Sequence, residues 1–425
     1  RIISLEGYNV IQAYTGKDAL KLLGQEDVDV AISDVKLPDI NGVELVKKIK
    51  EFKPYVEVIN LTAFGNIPDG VGAIKNGAFD YLIKGDDNDK IIPLLSKAAD
   101  KAKLQRRVYE LENRITRQYN FSSILGTSKV IKEAIDLARK VAATDTTVLL
   151  LGETGTGKEV FAQAIHYESP RKLNPFVAVN CSGFSPELLE SELFGYKAGA
   201  FTGANKNKKG LLEEASSGTL FLDEIGEMNL DLQAKLLRVL ENQSFIKLGD
   251  TLTSRVNVRI IAATNRDLQK EADEGKFRLD LFYRLSVFSI SLPSLSQRKG
   301  DITLLAAHYL DEFAKKVNKP RFKVDEHFID LLRKHQWKGN IRELKNVIER
   351  VVIMADSNLI TANLLPYEFH AAIPAGNSFD LQSVEKNHIQ KVLHHTHGNK
   401  TETARLLGIG LTTLYRKLEE YGIEA

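Results

Sequence analysis

Lys158 closes the stretch Gly152-Glu153-Thr154-Gly155-Thr156-Gly157-Lys158-Glu159, which follows the apolar run Thr147 to Leu151 and precedes an amphipathic pattern from Glu159 to His166. Strand, glycine-rich turn and helix in that order aim backbone N–H groups at an anion on a helix N-terminus. Gly152, Gly155 and Gly157 let the backbone approach phosphates closely, and Lys158 can reach the β- and γ-phosphates. The plain alternative is a glycine-rich surface turn, which the flanking strand and helix disfavour. The position after the lysine, usually Ser or Thr for Mg²⁺, holds Glu159. Three further groups stand at strand ends near the start of the chain. Asp34 ends Val28-Asp29-Val30-Ala31-Ile32-Ser33, Thr62 ends Glu57-Val58-Ile59-Asn60-Leu61, and Lys84 ends Tyr81-Leu82-Ile83. A carboxylate nucleophile beside a hydroxyl and a cation could accept and hold a phosphoryl group.

The elements that must position these groups are legible at a coarse level. A chain of 425 residues should fold as two to four domains, each with its own core. Lys and Arg number 58 against 56 Asp and Glu, so any nucleic-acid surface must be local rather than global. The single cysteine, Cys181, excludes an intramolecular disulfide framework and suits a reducing cytosol. With no long apolar run and no visible signal peptide, a soluble cytoplasmic protein without a membrane partner is expected. Residues 1–97 alternate strands with helical patterns such as Val43 to Phe52 and Gly70 to Asn76. That alternation implies a parallel sheet whose strand C-termini collect the functional groups.

This first region resembles a two-component receiver domain, with a flavodoxin-like fold. The resemblance implies that Asp34 accepts a phosphoryl group from a sensor histidine kinase and that Thr62 and Lys84 bind it, with Tyr81 at the aromatic switch position. The alternative is a loop-starting Asp34 and a solvated Lys84. Two departures stand out: Gly85 follows Lys84 where the family has Pro, and the first strand with its Mg²⁺-holding acidic pair is not seen. The opening Arg1-Ile2-Ile3-Ser4-Leu5-Glu6-Gly7-Tyr8-Asn9-Val10 reads as the helix after that strand, so the expectation is a sequence truncated at its start.

Residues 98–120 form a connector. Leu94 to Ile115 reads as one helix, with Leu104, Val108, Leu111 and Ile115 in 4-3-4 spacing, a short coiled-coil seam. It either dimerises or packs on its own domain.

Residues 121–366 resemble an AAA+ ATPase, a P-loop α/β domain with a helical lid. In that light Thr219-Leu220-Phe221-Leu222-Asp223-Glu224 is the Walker B strand. Asp223 would hold Mg²⁺ and Glu224 would polarise the attacking water; paired acids can also be a helix N-cap. Asn265, after Val258 to Thr264, takes the sensor I position. Asn180, after Phe176 to Val179, takes that of a residue restraining Glu224. The string Gly199-Ala200-Phe201-Thr202-Gly203-Ala204 narrows the family. By physics alone Phe201 is equally a partner-inserting tip or an inward-packed hairpin residue. The string itself is the hallmark of sigma-54-dependent activators, where it contacts sigma-54. Glu159 after the P-loop lysine is usual there too. Arg278 and Arg284 match the arginine fingers that reach the γ-phosphate of a neighbouring subunit, the alternative being a salt-bridged helix face. Trp337-Lys338-Gly339-Asn340-Ile341-Arg342-Glu343-Leu344 matches sensor II, with Arg342 as the nucleotide-sensing cation and Lys338 where Pro is commoner.

Residues 367–380 read as a linker and 381–425 as an all-α helix-turn-helix. Ala404, Gly408, Ile409, Leu414 and Leu418 fit its crossing and turn, and Thr412, Thr413, Arg416 and Lys417 are suited to phosphate and base-edge contacts, the alternative being an ordinary helical hairpin. It resembles the Fis-type domain whose dimer binds enhancer DNA. His388, His394, His395 and His397 lack a carboxylate or Cys frame and read as solvent-facing.

The three resemblances in this order are those of the NtrC family. They imply an ATP- and Mg²⁺-dependent ATPase that remodels sigma-54 RNA polymerase. It would pass from an inactive dimer to an active hexameric or heptameric ring. An unfoldase would show neither the six-residue string nor the DNA-binding tail, and a plain DNA-binding regulator would not need Lys158, Asp223 and Glu224.

Overall fold

The computed structural model describes residues 2–63, 67–85, 88–370, 381–396 and 398–423. The chain divides into two compact units, Arg1–Gln118 and Tyr119–Ala425.

In the first unit β1 (Val30–Asp34), β2 (Glu57–Thr62) and β3 (Asp80–Ile83) lie parallel in that order. The helices are α1 (Ile2–Leu5), α2 (Gly16–Gln25), α3 (Gly42–Phe52), α4 (Ile67–Lys75) and α5 (Asn88–Gln118). The register pairs Asp34 with Leu61 and Thr62 with Ile83, so Asp34, Thr62 and Lys84 share one sheet edge. Asn41 caps α3 by accepting from the Val43 N–H. At Gly42 a Cβ would stand 2.1 Å from the Asp34 carbonyl oxygen, so only glycine lets α3 start against the strand end. Of the opening residues read as a helix, Ile2–Leu5 are helical, whereas Glu6 and Gly7 form a turn and Tyr8–Val10 are irregular. Two boundaries moved: β1 begins at Val30, and α5 begins at Asn88 with Pro93 inside it. On α5, Ala98 and Ala102 are buried, while Leu104 and Val108 are 71% and 53% exposed. The side chain of Ile115 lies outside the described residues.

The second unit is built on a five-stranded parallel sheet whose strands lie in the order 288–291, 148–151, 259–264, 219–223 and 176–180. In chain order come α6 (Lys129–Ala142), β4 (Val148–Leu151), α7 (Lys158–Tyr167), β5 (Phe176–Asn180), α8 (Pro186–Phe194), α9 (Leu211–Glu214), β6 (Thr219–Asp223) and α10 (Leu230–Asn242). The hairpin β7 (Ser244–Ile246) and β8 (Thr253–Arg255) follows, then β9 (Arg259–Thr264), α11 (Leu268–Asp273), α12 (Leu279–Leu285) and β10 (Phe288–Ser291). The central strands are apolar on both faces, as parallel strands between helices must be. Leu149, Leu222 and Ala262 pack one way, and Val148, Leu150, Phe221, Ile261 and Ala263 the other. Each fully buried Leu, Ile or Phe contributes roughly 2–3 kcal/mol before entropy is set against it.

A 3₁₀ segment, Leu295–Asp301, leads to the lid: α13 (Ile302–Lys316), β11 (Lys323–Val324), α14 (Glu326–Lys334), α15 (Asn340–Met354) and β12 (Leu359–Ile360). Trp337 is fully buried at its centre, and its indole N–H donates to the Leu332 carbonyl at 2.7 Å.

The C-terminal helices are α16 (Leu381–His395), α17 (Lys400–Leu407) and α18 (Leu411–Glu420). Gly408 ends α17 in the left-handed region, φ 65°, which turns the chain into α18. Ile389, Leu393, Ala404, Leu414 and Leu418 form the core. His397 lies outside the described residues. Among those described, no helix is long and apolar enough to cross a membrane.

Candidate functional site

The sheet order sets β4, β9 and β6 side by side, so their C-terminal ends open onto one crevice. Gly152 N–H donates to the Thr264 carbonyl at 3.2 Å, fastening the start of the glycine-rich loop to the end of β9. Asn265, the next residue, donates to Thr154 Oγ1 at 3.2 Å. Asp223 and Glu224 leave β6 beside the loop, and Asn180 on β5 pairs in register with Asp223. Asn180 Oδ1 is taken up by Ser182, accepting from its N–H at 2.8 Å and its hydroxyl at 2.7 Å.

A cavity of 460 Å³ lies over this edge. Residues 154–159 with Asp223, Glu224 and Arg342 line one part, and Ile124, Leu125, Leu305 and Tyr309 give it an apolar part. The lining thus combines groups suited to a polyphosphate with apolar groups suited to a flat base. Lys158 is 6% exposed; its Nζ donates to the Gly152 carbonyl at 2.8 Å and stands 3.9 Å from Glu224 Oε1. Burial lowers its pKa, against the pull of Glu224 and Asp223 in the other direction. Thr156 donates from Oγ1 to the Glu153 carbonyl at 2.8 Å, which tightens the loop. Glu159 accepts from Gln163 one helical turn on, at 3.3 Å.

The lid is bonded directly into the loop. Ile341 N–H donates to the Gly155 carbonyl at 2.9 Å, and Asn340 Nδ2 donates to Glu153 Oε2 at 2.9 Å. At Gly155, φ 80°, a Cβ would lie 2.2 Å from the Gly339 carbonyl oxygen, so glycine is required for this approach. Sequence reasoning missed Asn340 as a functional residue. It also missed Arg298, fully buried in the cavity wall and donating to the Thr156 carbonyl at 3.4 Å.

For a divalent cation the fit is that of a water-rich ion. Asp223 and Glu224 supply hard oxygen donors, and among the described residues no group of three His, Cys, Asp or Glu forms a protein cage. Mg²⁺ commonly takes one or two carboxylates, water and substrate phosphate.

Arg278, at the N-cap of α12, and Arg284, on that helix, are both exposed. Arg278 is paired with Asp280 at 2.7 Å, and Arg284 donates to the Leu240 carbonyl at 3.2 Å. The loop Gly199–Ala204 is closed by Gly199 N–H donating to the Ala204 carbonyl at 2.8 Å. Ala204 is buried, whereas Phe201 is 45% exposed and rests edge-on against Tyr196 at 4.9 Å. Ala200 of the loop meets Gly249 of the β7–β8 turn.

In the first unit Lys84 donates to Asp34. Burial would raise the Asp34 pKa, but the bonds from Lys84 and the Lys36 N–H outweigh it and hold the carboxyl below its usual range. Thr62 is buried at the same edge. On α18, Thr412 and Arg416 are exposed, and Thr413 is partly so. Lys417 departs from expectation: it is 17% exposed and ion-paired with Glu385 of α16 at 2.6 Å. Tyr415, half exposed on the Thr412–Arg416 face with Lys400 over its ring at 5.4 Å, was missed.

Residues 124–291 match the Sigma-54 interaction domain and 296–380 the AAA+ ATPase lid domain. Residues 1–96 match the Response regulator receiver domain and 381–421 the Bacterial regulatory protein, Fis family. The chain is 40% identical to Regulatory protein AtoC of Escherichia coli (strain K12) over 433 residues, 99% of this chain and 94% of that protein. It is 37% identical to DNA-binding transcriptional regulator NtrC of Proteus hauseri over 454 residues, 100% of this chain and 95% of that one. The crystal structure of NtrX from Brucella abortus in complex with ATP is similar with TM-score 0.67 and 33% identity, covering 99% of this chain and 96% of that one.

Proposed function

This chain belongs to the family of sigma-54-dependent response regulators, with a receiver, an AAA+ domain and a Fis-type DNA-binding domain, and from that premise we propose how its residues carry a signal to transcription. It is a two-component response regulator and sigma-54 activator.

The reaction is hydrolysis of ATP at the crevice of β4, β9 and β6. The solved relative NtrX holds ATP, and the cavity here is lined by both polar and apolar residues. The loop Gly152–Lys158 takes the phosphates on its N–H groups, with Lys158 exchanging the Gly152 carbonyl for phosphate oxygens. Asp223 would hold a magnesium ion, which when bound would supply charge neutralisation on the phosphates. Glu224 orients the attacking water and takes its proton as the new P–O bond forms; the bond to the β-phosphate oxygen breaks and leaves ADP. Asn265 and Arg342 register the γ-phosphate, and Asn180 restrains Glu224 from the neighbouring strand. Arg278 and Arg284 act in trans, so the working form is a ring of six or seven subunits assembled from an inactive dimer.

The other regions supply input and output. A sensor histidine kinase passes its phosphoryl group to Asp34, with Lys84 and Thr62 on the phosphoryl oxygens. The helical connector carries that state onward through the Leu104–Val108–Leu111 face. Phe201 and Thr202, at the tip of Gly199–Ala204, engage sigma-54 in its RNA polymerase, while Thr412, Thr413 and Arg416 contact enhancer DNA. The protein works in the cytoplasm.

The single observation that carries this reading is the 3.9 Å approach of Lys158 to Glu224, a phosphate-binding cation beside a water-activating carboxylate. Glu224→Gln is expected to keep ATP binding and lose hydrolysis, while Lys158→Ala loses both. Hydrolysis by Glu224→Gln at the wild-type rate would remove Glu224 from the mechanism.

A further inference from the structure

Gln233 on α10 is 0% exposed, and its amide is spent on three backbone groups from two separate segments. Nε2 donates to the Met228 carbonyl at 2.7 Å and the Lys276 carbonyl at 3.2 Å; Oε1 accepts from the Arg278 N–H at 2.7 Å. Met228 ends the 3₁₀ turn that follows Asp223 and Glu224. Arg278 caps the start of α12, the helix that carries Arg284. One side chain therefore fixes the loop after the catalytic carboxylates to the loop that presents both arginines. Phe277, between the two bonded backbone groups, is buried and holds that loop from the apolar side.

A leucine here would fill the space but leave the Arg278 N–H and the Met228 and Lys276 carbonyls without this partner, so the buried amide and the two segments it joins hold one another in place. We infer that Gln233 is a positioning residue for Arg278 and Arg284, acting on the active site of the adjacent subunit and not on its own. The inference rests on the trans role of these arginines proposed above. The direction of each arginine is set by the backbone that Gln233 holds, and a displacement of ~1 Å in a catalytic group costs about 10²-fold in rate.

The test is complementation between subunits of the full chain. Gln233→Met keeps the length of the side chain and removes all three hydrogen bonds. Alone, its ATPase is expected to fall about 10²-fold. Mixed with an equal amount of Glu224→Gln, which has correctly held arginines and an inactive site, activity is expected to recover. Random mixing gives about one quarter of interfaces an intact site facing intact arginines, so recovery approaches a quarter of the wild-type rate. Arg278→Ala mixed with Glu224→Gln is the control. Recovery in the control but not with Gln233→Met overturns the inference and leaves the trans arginines standing. No recovery in either mixture overturns the trans reading itself, and the inference with it. Should Gln233→Met fail to fold, Gln233→Glu keeps the acceptor for the Arg278 N–H, loses both donors, and must show the same recovery.

Discussion

The side-chain amide of Asn340 donates to the carboxylate of Glu153 at 2.9 Å, joining the lid to the phosphate loop across 187 positions of sequence. The same amide donates to the Thr154 carbonyl at 3.1 Å, and its oxygen accepts from the Leu295 N–H at 2.7 Å. Arg342, two residues on, is thereby held against that loop, beside Gly155. Losing a buried hydrogen-bonding partner costs about 1–3 kcal/mol. Asn340→Ala is therefore expected to weaken ATP binding about tenfold or more, and to suppress the change in Trp337 fluorescence on nucleotide addition. ATP titration checks this; unchanged affinity with an intact fluorescence response would show that Asn340 only packs.

His166 gives the central domain an acid limit. Its ring is buried at the end of α7, Nδ1 is 2.9 Å from Thr219 Oγ1, and burial pushes its pKa down to about 4. The unfolded imidazole takes a proton below about 6.5, and the folded one not until about 4. This contribution to stability is complete above pH 6.5 and is lost as pH falls from there to about 4, about 3 kcal/mol in all. Denaturant unfolding at pH 7.5 and pH 5 should show the loss, and His166→Asn should flatten it. An equally steep dependence in the variant would assign the effect to other groups.

The arginines predict a dependence on assembly. Arg284→Ala is expected to lower the ATPase rate by about 10³-fold or more while leaving ATP affinity within a few-fold. The specific activity of the wild type is expected to rise with protein concentration until rings are complete. Concentration-independent turnover would mean that the site is complete within one chain.

On the recognition helix the structure separates two basic neighbours. Arg416→Ala is expected to weaken enhancer binding and to reduce the salt slope of log K by about 1. Lys417→Ala, which breaks the ion pair to Glu385, should leave the slope unchanged and lower the melting point of the helix-turn-helix. A slope change of similar size in Lys417→Ala would return that lysine to the DNA interface.

What was legible in the sequence follows from where the information lies. Asp223 and Asn265 each end an apolar run and Lys158 follows one through the glycine-rich loop, and runs buried on both faces suit parallel strands whose C-terminal ends converge. Asp34, Thr62 and Lys84 came together for the same reason. Gln233 and Asn340 carried no such signal, because an amide in a helical pattern reads as surface until its distant partners are known. Lys417 differs in the opposite sense. Its helical position looks outward, and only the packing of α16 brings Glu385 to it. The early start of α5 was hidden by Pro93, which reads as a helix boundary yet stands inside the helix.

The central claim is that ATP hydrolysis at Lys158 and Glu224 is converted into promoter opening by the Phe201–Thr202 tip. The most direct measurement is sigma-54-dependent open-complex formation by wild type, Lys158→Ala and Thr202→Ala, with ATPase rates recorded in parallel. The account predicts open complexes from the wild type alone, with hydrolysis lost in Lys158→Ala and retained in Thr202→Ala. Equal yields of open complex from all three proteins would contradict it.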